Sequence, residues 1–509
     1  VLELKTERLT ALTTDGGGAI KNAMAEFVAQ EEMGRMTGYW WSPDESAIAY
    51  TRIDESAVEL VTRNEIYADG IKLTKQRYPY AGKNNVTIAL GVVSLTDKQV
   101  AWVDLGKETD IYIPRVKWLP NSKQLSYQWQ SRDQQSLDLR VVDIDDIKRN
   151  KDLVQERSEA WVNLNDDLHF LKQQQSFIWA SERDGFNHLY LIGLDGKVIR
   201  QLTQGDWAVD AVEYIDEKTG QVYFTGRKTK VTEKQLYRVA MTGGKVEAIS
   251  SRSGMHSTVF ADNQPVYLDY FSSLSQPPQV SLHNESGKRL AWVEQNEVKK
   301  GHPLYDYFGL WQVPEFGELT AEDGQALQYR LFKPTNFDAK KQYPVVVRVY
   351  GGPHAQLVTN SWSHQDYFTQ HLLQQGFIVY QLDNRGSAHR GTKFEYVIYK
   401  QLGEAEVNDQ KVGVDYLRSL PYVDADNIAI YGHSYGGYMA LMSLFKAPDY
   451  FKAAISGAPV SDWSLYDTHY TERYLSHPET NAKGYEASSV LPYVKDYQSG
   501  LLMYHGMAD

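Results

Sequence analysis

Up to about residue 290, short runs of alternating hydrophobic and polar residues follow one another, separated by turns. SAIAYTRID, QLSYQWQ and QVYFTGRK are three such runs. Alternation with a period of two is typical of half-buried β-strands. Residues 40–50, 116–127 and 212–224 repeat one order, in which an aromatic residue precedes turn residues and then a strand. Such repeats at irregular intervals predict a β-propeller, with a β-sandwich or another large β fold as the alternative.

After about residue 300, continuous hydrophobic runs alternate with helical patterns. The predicted strands are YPVVVRVY, GFIVYQLD, NIAIYG, KAAISGAP and GLLMYHG, and the predicted helices include DYFTQHLLQQ, EVNDQKVGVDYLRSL and YMALMSLFKA. Buried strands that alternate with helices predict a mostly parallel sheet covered on both faces. The charged segment 285–310 is the predicted linker. We therefore expect an all-β propeller domain at residues 1–300 and an α/β domain at residues 301–509.

Composition excludes several classes of protein. The net charge of −12 opposes a nucleic-acid-binding surface. No run of eighteen apolar residues occurs, so no membrane span is expected, and no signal peptide is visible at the N-terminus. The chain has no cysteine, so disulfides and thiolate metal sites are excluded. Neither a metal-ligand cluster nor a phosphate-binding loop is visible, and we expect no metal and no cofactor.

The strongest chemical motif is Gly-His-Ser-Tyr-Gly at residues 432–436. It follows the strand NIAIY and precedes a hydrophobic helix, which is the context of a nucleophile elbow. The glycines permit a turn too tight for Cβ atoms, so that the hydroxyl of Ser434 projects at the end of the strand. The motif predicts a serine hydrolase on an α/β-hydrolase fold.

A serine nucleophile needs a base and an orienting acid. In α/β hydrolases, the chain order is serine, then acid, then histidine. Asp509 comes just after the strand-like LLMYHG and is the predicted acid. No histidine follows it, so we expect the catalytic histidine to lie beyond the given chain. His433, His469 and His505 are the alternatives within the chain, and we expect roles other than catalysis for them.

Six stretches resemble the dipeptidyl peptidase IV branch of the prolyl oligopeptidase family: VRVYGGPHAQ, LDNRGSAHRG, QLGEAEVNDQ, NIAIYGHSYGGYM, GAPVSDWSLYDTHYTERY and MYHGMAD. The resemblance is to the bacterial type of this family, and it implies an eight-bladed propeller joined to an α/β-hydrolase domain. It also implies that the chain is incomplete at both ends, with the first blades before Val1 and the histidine after Asp509. We therefore expect the 509-residue chain alone to have negligible peptidase activity. Family members usually carry Trp at the position of His433, which has no catalytic role.

The resemblance also assigns roles to single residues. Ser434 would be the nucleophile of an acyl-enzyme mechanism, and Asp509 would orient the histidine. The backbone N–H of Tyr435 and the phenol of Tyr350 would form the oxyanion hole. Without the resemblance, Tyr350 is interpreted as a core tyrosine at a strand end. The family's arginine for the substrate carbonyl has no counterpart that we can assign.

The stretch VSDWSLYDTHY would supply the pocket for proline. Val460, Trp463, Tyr466 and Tyr470 are spaced by three and four residues, which predicts one helical face. Such a stripe alone is more typical of a core face, and the resemblance makes these residues pocket walls. Arg473 is predicted to be a structural or supporting ion-pair residue.

Glu31 and Glu32 lie in EFVAQEEMGRM, far from the other candidates. An adjacent pair of glutamates is usually a solvated helix surface. The resemblance instead places this pair on a short helix that reaches the active site and binds the α-ammonium of the substrate. Charge-assisted hydrogen bonds to a shielded ammonium are strong. With the amine fixed there, only the second peptide bond would reach Ser434.

The predicted function is therefore a serine exopeptidase that removes N-terminal dipeptides with proline or alanine second. The expected partners are peptides with a free N-terminus and a second copy of the chain in a homodimer, without nucleic acid. The expected location is the periplasm or the exterior of a bacterium. A prolyl tripeptidyl or acylaminoacyl peptidase of the same family is one alternative. A non-catalytic propeller and hydrolase scaffold is the other.

Overall fold

Strands dominate the chain up to Glu294 and pair antiparallel in small sheets, as the alternating pattern predicts. The structure is a computed structural model that describes residues 1–363 and 366–507. The strands of this region are β1 (Leu2–Glu3), β2 (Arg8–Leu9), β3 (Ile20–Asn22), β4 (Tyr39–Trp41), β5 (Ala47–Asp54), β6 (Leu60–Tyr67), β7 (Gly70–Arg77), β8 (Thr87–Ser94), β9 (Val100–Trp102), β10 (Ile111–Tyr112), β11 (Val116–Trp118), β12 (Gln124–Ser131), β13 (Ser136–Asp143), β14 (Asp146–Arg157), β15 (Leu168–Phe170), β16 (Ser176–Ser181), β17 (His188–Gly193), β18 (Val198–Gln201), β19 (Val209–Asp216), β20 (Gln221–Gly226), β21 (Gln235–Ala240), β22 (Glu247–Ala248), β23 (Met255–Ala261), β24 (Gln264–Ser273), β25 (Gln276–His283) and β26 (Arg289–Glu294).

Five sheets of four or five strands follow one another along this region. The first contains β3, β4, β5, β8 and β9, the second β10 to β14, the third β15 to β18, the fourth β19 to β22 and the fifth β23 to β26. Successive sheets share buried clusters: Leu90 packs in one cluster with Tyr127, and Leu139 in another with Trp179. Further clusters join the third sheet to the fourth and the fourth to the fifth. Each sheet therefore buries its hydrophobic residues against the next sheet along the chain.

A short helix, α1 (Phe27–Glu31), interrupts the first sheet between β3 and β4. Its buried residues Val28 and Ala29 pack in a cluster with Tyr112. The buried carboxylate of Glu26 accepts a hydrogen bond of 2.6 Å from Arg35, which ties the two ends of the segment together. Glu31 and Glu32 stand at the C-terminal end, where the helix dipole disfavours negative charge. The two glutamates therefore do not stabilise α1, and helix stability does not explain why they stand at this position.

The region after residue 310 forms one seven-stranded sheet with helices between its strands. The strand order is β27-β28-β30-β29-β31-β32-β33; β29 to β33 are parallel to one another, whereas β28 pairs antiparallel with both β27 and β30. The strands are β27 (Glu315–Thr320), β28 (Ala326–Phe332), β29 (Tyr343–Arg348), β30 (Ile378–Leu382), β31 (Val423–His433), β32 (Ala453–Gly457) and β33 (Gly500–Tyr504). The mostly parallel C-terminal sheet that the sequence predicts is confirmed.

The helices of this second region, with α2 in the segment just before it, complete the alternating order. They are α2 (Tyr305–Phe308), α3 (Asp366–Gln374), α4 (Thr392–Glu395), α5 (Ala405–Arg418), α6 (Tyr435–Lys446), α7 (Thr468–Leu475) and α8 (Ala482–Ser488), with short 3-10 turns at Tyr396–Ile398, Trp463–Leu465 and Leu491–Asp496. Within residues 1–363 and 366–507, no helix has both the length and the apolar character to cross a membrane.

Several backbone hydrogen bonds join the two regions, and around Asp467 two of them flank a β-bridge. The N–H of Thr468 donates to the carbonyl of Pro79, and the N–H of Ala81 donates to the carbonyl of Tyr466, both at 2.9 Å. Tyr80 and Asp467 form an antiparallel β-bridge between these two bonds. We call this pairing of 79–81 with 466–468 the seam. It places α7 of the second region beside the segment that follows β7 in the first.

Candidate active site

Ser434 occupies the sharp turn between β31 and α6, as the motif predicts. Its backbone has φ 60° and ψ −120°, a conformation that residues with a Cβ rarely adopt. A Cβ on Gly432 would lie 2.2 Å from the carbonyl oxygen of Gly436, and one on Gly436 would lie 2.4 Å from that of Val349. The side chain of Ser434 is exposed. The turn therefore presents this hydroxyl at the carboxyl end of β31, an inner strand of the sheet.

Tyr350 and Tyr435 lie next to Ser434. Tyr350 lies two residues after β29, its ring centroid is 6.0 Å from that of Tyr435, and its phenol is an electrostatic neighbour of the Ser434 hydroxyl. Burial raises the pKa of Tyr350, so the phenol keeps its proton at neutral pH and can donate it in a hydrogen bond. Tyr435 is the first residue of α6, so its N–H has no acceptor within the helix. Two donors can therefore point to the space beside the nucleophile.

Glu406, which the sequence reading did not single out, anchors this corner. Its wholly buried carboxylate accepts a hydrogen bond of 2.7 Å from the phenol of Tyr435. It also accepts the N–H of Gly403 at 3.0 Å on each oxygen. The bond between Tyr435 and Glu406 fixes the start of α6 against the start of α5, and with it the turn that holds Ser434.

The four predicted pocket residues do not share one helical face, so that prediction is wrong. Val460 follows β32 in a loop, Trp463 begins a 3-10 turn, Tyr466 is extended and only Tyr470 lies on α7. Asp467 causes the break, because its side chain caps α7 and starts a new helix there.

The aromatic rings nevertheless come together. Trp463 is fully buried and stacks on Tyr470, with ring centroids 5.8 Å apart and planes inclined by 10°. Tyr466 meets Tyr470 edge to face at 5.3 Å. Val460 packs, half-buried, against the same core cluster. These side chains form a flat, apolar wall beside the elbow.

Glu32 reaches this wall from the first region. The phenol of Tyr466 donates a hydrogen bond of 3.4 Å to Glu32 Oε1. Burial, followed by the charge of Asp467, raises the pKa of Glu32 to about 9. Burial and then the charge of Glu32 raise the pKa of Tyr350, the electrostatic neighbour of Ser434. Glu31 is exposed at the end of α1. The structure thus brings Glu32, Tyr466, Tyr350 and Ser434 into one site.

Arg473 and Asp467 are the other charged groups of the site. Arg473, on α7, donates a hydrogen bond of 2.7 Å from Nε to Gln134, and its Nη1 lies 3.0 Å from His354 Nε2. Asp467 is wholly buried, and Oδ1 accepts the N–H groups of His469 and Tyr470. The sequence carried one signal for Asp467, because an aspartate directly before a helical segment is a common cap.

The predicted acid, Asp509, lies outside the described residues. The three histidines weighed as bases have other partners in the described part of the chain. His433 Nδ1 lies 3.2 Å from the phenol of Tyr504, and His505 Nδ1 lies 3.1 Å from the carbonyl of Gly506. The buried ring of His469 meets Tyr112 edge to face at 4.8 Å. Within residues 1–363 and 366–507, no group of three or more His, Asp or Glu residues has a metal-binding arrangement.

A cavity of about 540 Å³ lies between the two regions, apart from the elbow. Glu182 of the first region and Glu395 of the second face each other on its wall, and Nδ2 of Asn163 donates to both at 3.0 Å. Burial raises the pKa of Glu182 to about 7. Burial and the charge of Glu182 raise the pKa of Glu395 well above its ordinary value.

Two family models match the chain. Residues 1–278 match the dipeptidyl peptidase IV (DPP IV) N-terminal region, and residues 362–509 match the prolyl oligopeptidase family. Among curated relatives, dipeptidyl peptidase 8 of Mus musculus is 31% identical over 570 residues, covering 96% of this chain and 64% of its own. The probable dipeptidyl peptidase 4 of Aspergillus flavus is 30% identical over 534 residues, covering 98% and 67%. The chain thus spans about two thirds of the length of these relatives.

Solved structures agree with this grouping. The crystal structure of Porphyromonas gingivalis dipeptidyl peptidase 4 superposes with a TM-score of 0.94 at 31% identity, over 100% of this chain and 72% of that one. The structure of a putative dipeptidyl aminopeptidase IV from Bacteroides ovatus gives a TM-score of 0.88 at 30% identity, over 97% and 72%.

Proposed function

Since the chain belongs to the dipeptidyl peptidase IV branch of the prolyl oligopeptidase family, we propose that it acts as a serine exopeptidase. It would release dipeptides with proline or alanine in the second position from the N-termini of peptides. The observation that carries the proposal is the position of Glu32. A carboxyl group from the first region meets Tyr466 and lies near Tyr350 and Ser434 of the second. A free amine held there is one short segment of peptide away from the nucleophile.

In the proposed reaction, Ser434 Oγ attacks the carbonyl carbon of the second peptide bond and passes its proton to a histidine oriented by Asp509. The carbonyl oxygen becomes negatively charged, and the phenol of Tyr350 and the N–H of Tyr435 donate hydrogen bonds to it. The raised pKa of Tyr350 supports this role, because a phenol that keeps its proton can donate. As the C–N bond breaks, the histidine gives this proton to the leaving nitrogen and the remaining peptide departs as an amine; water then hydrolyses the acyl-enzyme, which frees the dipeptide and restores Ser434.

The wall of Val460, Trp463, Tyr466 and Tyr470 supports a preference for proline. A pyrrolidine ring offers shape and apolar surface but no charge, so flat aromatic rings are suited to bind it. Glu31 and Glu32 would bind the α-ammonium, and this contact would set the length of the product at two residues. A chain without a free N-terminus would lose that contact.

We also propose that residues 1–300 belong to a β-propeller and residues 301–509 to an α/β-hydrolase domain. The five antiparallel sheets, each packed on the next, support blades. The elbow at the end of β31 supports the hydrolase domain. The family relation further leads us to propose a homodimer in the periplasm or exterior of a bacterium. Light scattering of the purified protein and fractionation of the source cells test these two statements.

Substrate profiling of the full-length protein tests the proposed function. We expect cleavage of Gly-Pro anilide, with no cleavage of its N-acetylated form and none by Ser434→Ala. Replacement of Glu31 and Glu32 with Ala should lower kcat/KM by at least about 100-fold, since two charge-assisted contacts are lost. Equal cleavage of the acetylated anilide would overturn the proposal in favour of an acylaminoacyl peptidase. Release of tripeptides, seen by mass spectrometry, would favour a tripeptidyl peptidase. Failure of Ser434 to react with a fluorophosphonate would favour a scaffold.

A further inference from the structure

The cavity of about 540 Å³ between the two regions adjoins the proposed amine site on two sides. Leu164 lines the cavity and also packs against the hydrophobic cluster of α1, the helix that ends at Glu31. His354 lines it as well, and its Nε2 lies 3.0 Å from Nη1 of Arg473 on α7. A cavity of this size can hold a long side chain. It therefore lies beside both helices of the amine site, with room for a further part of the substrate.

Glu182 and Glu395 are joined on the cavity wall through a single amide group. Nδ2 of Asn163 donates to Oε2 of each carboxyl group at 3.0 Å. Trp161 fixes this orientation, because its Nε1–H donates to Oδ1 of the same amide at 2.8 Å. Among the described residues, neither carboxyl group has an ion-pair partner. Two buried carboxyl groups without a cation are costly to ionise together.

The other charged groups on the wall are already paired. The acidic residues and their partners are Glu156 with Arg183 at 2.6 Å, Asp166 with Arg115, Asp167 with His169 at 3.2 Å and Asp210 with Arg227 at 3.2 Å. Arg157, the other arginine of the wall, lies 2.6 Å from Asp138. The carboxyl groups of the wall that lack a cation are thus those of Glu182 and Glu395.

Two further oxygens on the wall lack a hydrogen-bond donor. Oδ1 of Asn187 and Oδ2 of Asp210 are buried, and neither accepts a hydrogen bond from the described residues. A buried polar atom without a partner is costly, so both oxygens require a donor. An ammonium or guanidinium group suits this wall, because it carries positive charge and several N–H groups. The cavity is therefore built to receive a cation.

We propose that the cavity binds the side chain of the substrate's first residue, and that Glu182 and Glu395 select lysine or arginine there. In the proposed site, the α-ammonium of this residue lies at Glu31 and Glu32, and its side chain leaves from the next atom, Cα. A basic side chain that extends into the cavity brings its cation to the two carboxyl groups and lets both ionise. The pair thus determines specificity and takes no part in the chemical step. This inference rests on the proposed function, because it needs the first residue held by its amine.

Two substrates that differ by one charged group test the preference. Norleucine is lysine without its terminal ammonium group, so Lys-Pro anilide and norleucine-Pro anilide form a matched pair. With the full-length protein, kcat/KM should be about 10- to 100-fold higher for Lys-Pro anilide, the effect of one charge-assisted hydrogen bond in a buried site. Glu-Pro anilide should be the poorest of the three, because its carboxylate meets two others.

The double variant Glu182→Gln and Glu395→Gln removes both charges and keeps the oxygens that accept from Asn163. We expect its ratio of kcat/KM for Lys-Pro over norleucine-Pro to fall nearly to one. Both substrates are measured with one preparation, so any loss of folded protein cancels from the ratio. Glu182→Gln alone should give an intermediate ratio, which decides the matter if the double variant does not fold.

Asp166→Asn is the matched control. It removes a carboxylate from the same wall, but one that has its own cation, Arg115. This variant should keep the ratio of the unsubstituted protein. An equal fall in the control would show a general effect of charge and would overturn the role of the pair.

The outcomes are distinct. Equal cleavage of Lys-Pro and norleucine-Pro anilide by the unsubstituted protein would overturn the inference without any variant. An unchanged ratio in folded glutamine variants would overturn it as well. Failure of the proposed function has a different signature: N-acetylated Gly-Pro anilide is then cleaved as well as the free form, or neither is cleaved, and the inference falls with it.

Discussion

Arg132, in the turn between β12 and β13, and Glu472, on α7, form a bidentate ion pair that joins the two regions. Nη2 lies 2.7 Å from Oε1 and Nε lies 2.8 Å from Oε2. The Glu472 side chain is only 2% exposed, so water screens the pair little. Glu472 also accepts the N–H of Gly82 at 2.8 Å, directly after the seam. The pair therefore holds α7, and with it Tyr470, against the antiparallel region.

Arg132→Ala should lower the free energy of unfolding by about 3 kcal/mol, because it leaves a buried carboxylate without its cation. KM for Gly-Pro anilide should rise as well, since α7 loses its anchor. Thermal or urea unfolding and initial rates measure both effects. Arg238→Ala is the control: its pair with Glu247 is largely exposed, and its removal should cost less than about 1 kcal/mol. Equal losses for the two variants would contradict this account.

Tyr350→Phe should lower kcat by about 100- to 1000-fold with little change in KM, the loss typical of one oxyanion donor. The variant keeps the ring and removes only the hydroxyl that is the electrostatic neighbour of Ser434. Steady-state kinetics of the intact protein measure the effect. Tyr343→Phe serves as the control, because Tyr343 begins the strand that precedes Tyr350 and its hydroxyl accepts a backbone N–H, that of Asp338. A fall in kcat of less than tenfold for Tyr350→Phe would argue against an oxyanion role.

Ser434→Gly should be more stable than Ser434→Ala by about 1 kcal/mol, although both variants should be inactive. The alanine keeps a Cβ at φ 60° and ψ −120°, and the glycine does not. The melting temperatures of the two proteins, compared under one condition, test the expectation. If alanine were the more stable substitution, the turn would not be strained.

Glu395→Gln should stabilise the protein at pH 8 and have little effect at pH 5. Glu182 and Glu395 have raised pKa values in the folded state, so folding retains protons that the unfolded chain releases. Stability therefore falls as the pH rises from the unfolded value, near 4.5, through about 7 for Glu182. The amide removes the repulsion and should add about 2 kcal/mol at pH 8. Melting curves at both pH values measure the difference, and the exposed Glu159→Gln should show none.

Local features of the fold were predictable because local residues encode them. The elbow at Ser434, the strands β29 to β33 and the helix α6 follow from glycine spacing and hydrophobic runs. The prediction that Val460 to Tyr470 share one helical face was wrong, because an aspartate such as Asp467 can start a new helix as well as continue one. Glu32 and Tyr466 are separated by most of the sequence, and no sequence periodicity predicts a contact between residues so far apart. Only the family resemblance brought the acidic pair to the site.

The seam has a consequence for how the site can open. Phe27 of α1 packs on Tyr78 at 5.0 Å, and Tyr78 packs on Tyr80 at 4.8 Å, next to the bridge with Asp467. Helix α1, which ends at the two glutamates, and helix α7, which carries Tyr470, are thus held together as one rigid unit. To spread them would break the backbone hydrogen bonds of the seam and separate these ring contacts. In the proposed reaction, peptides would therefore enter by a path that leaves α1 and α7 together, and the distance from the amine site to Ser434 would stay constant from one turnover to the next.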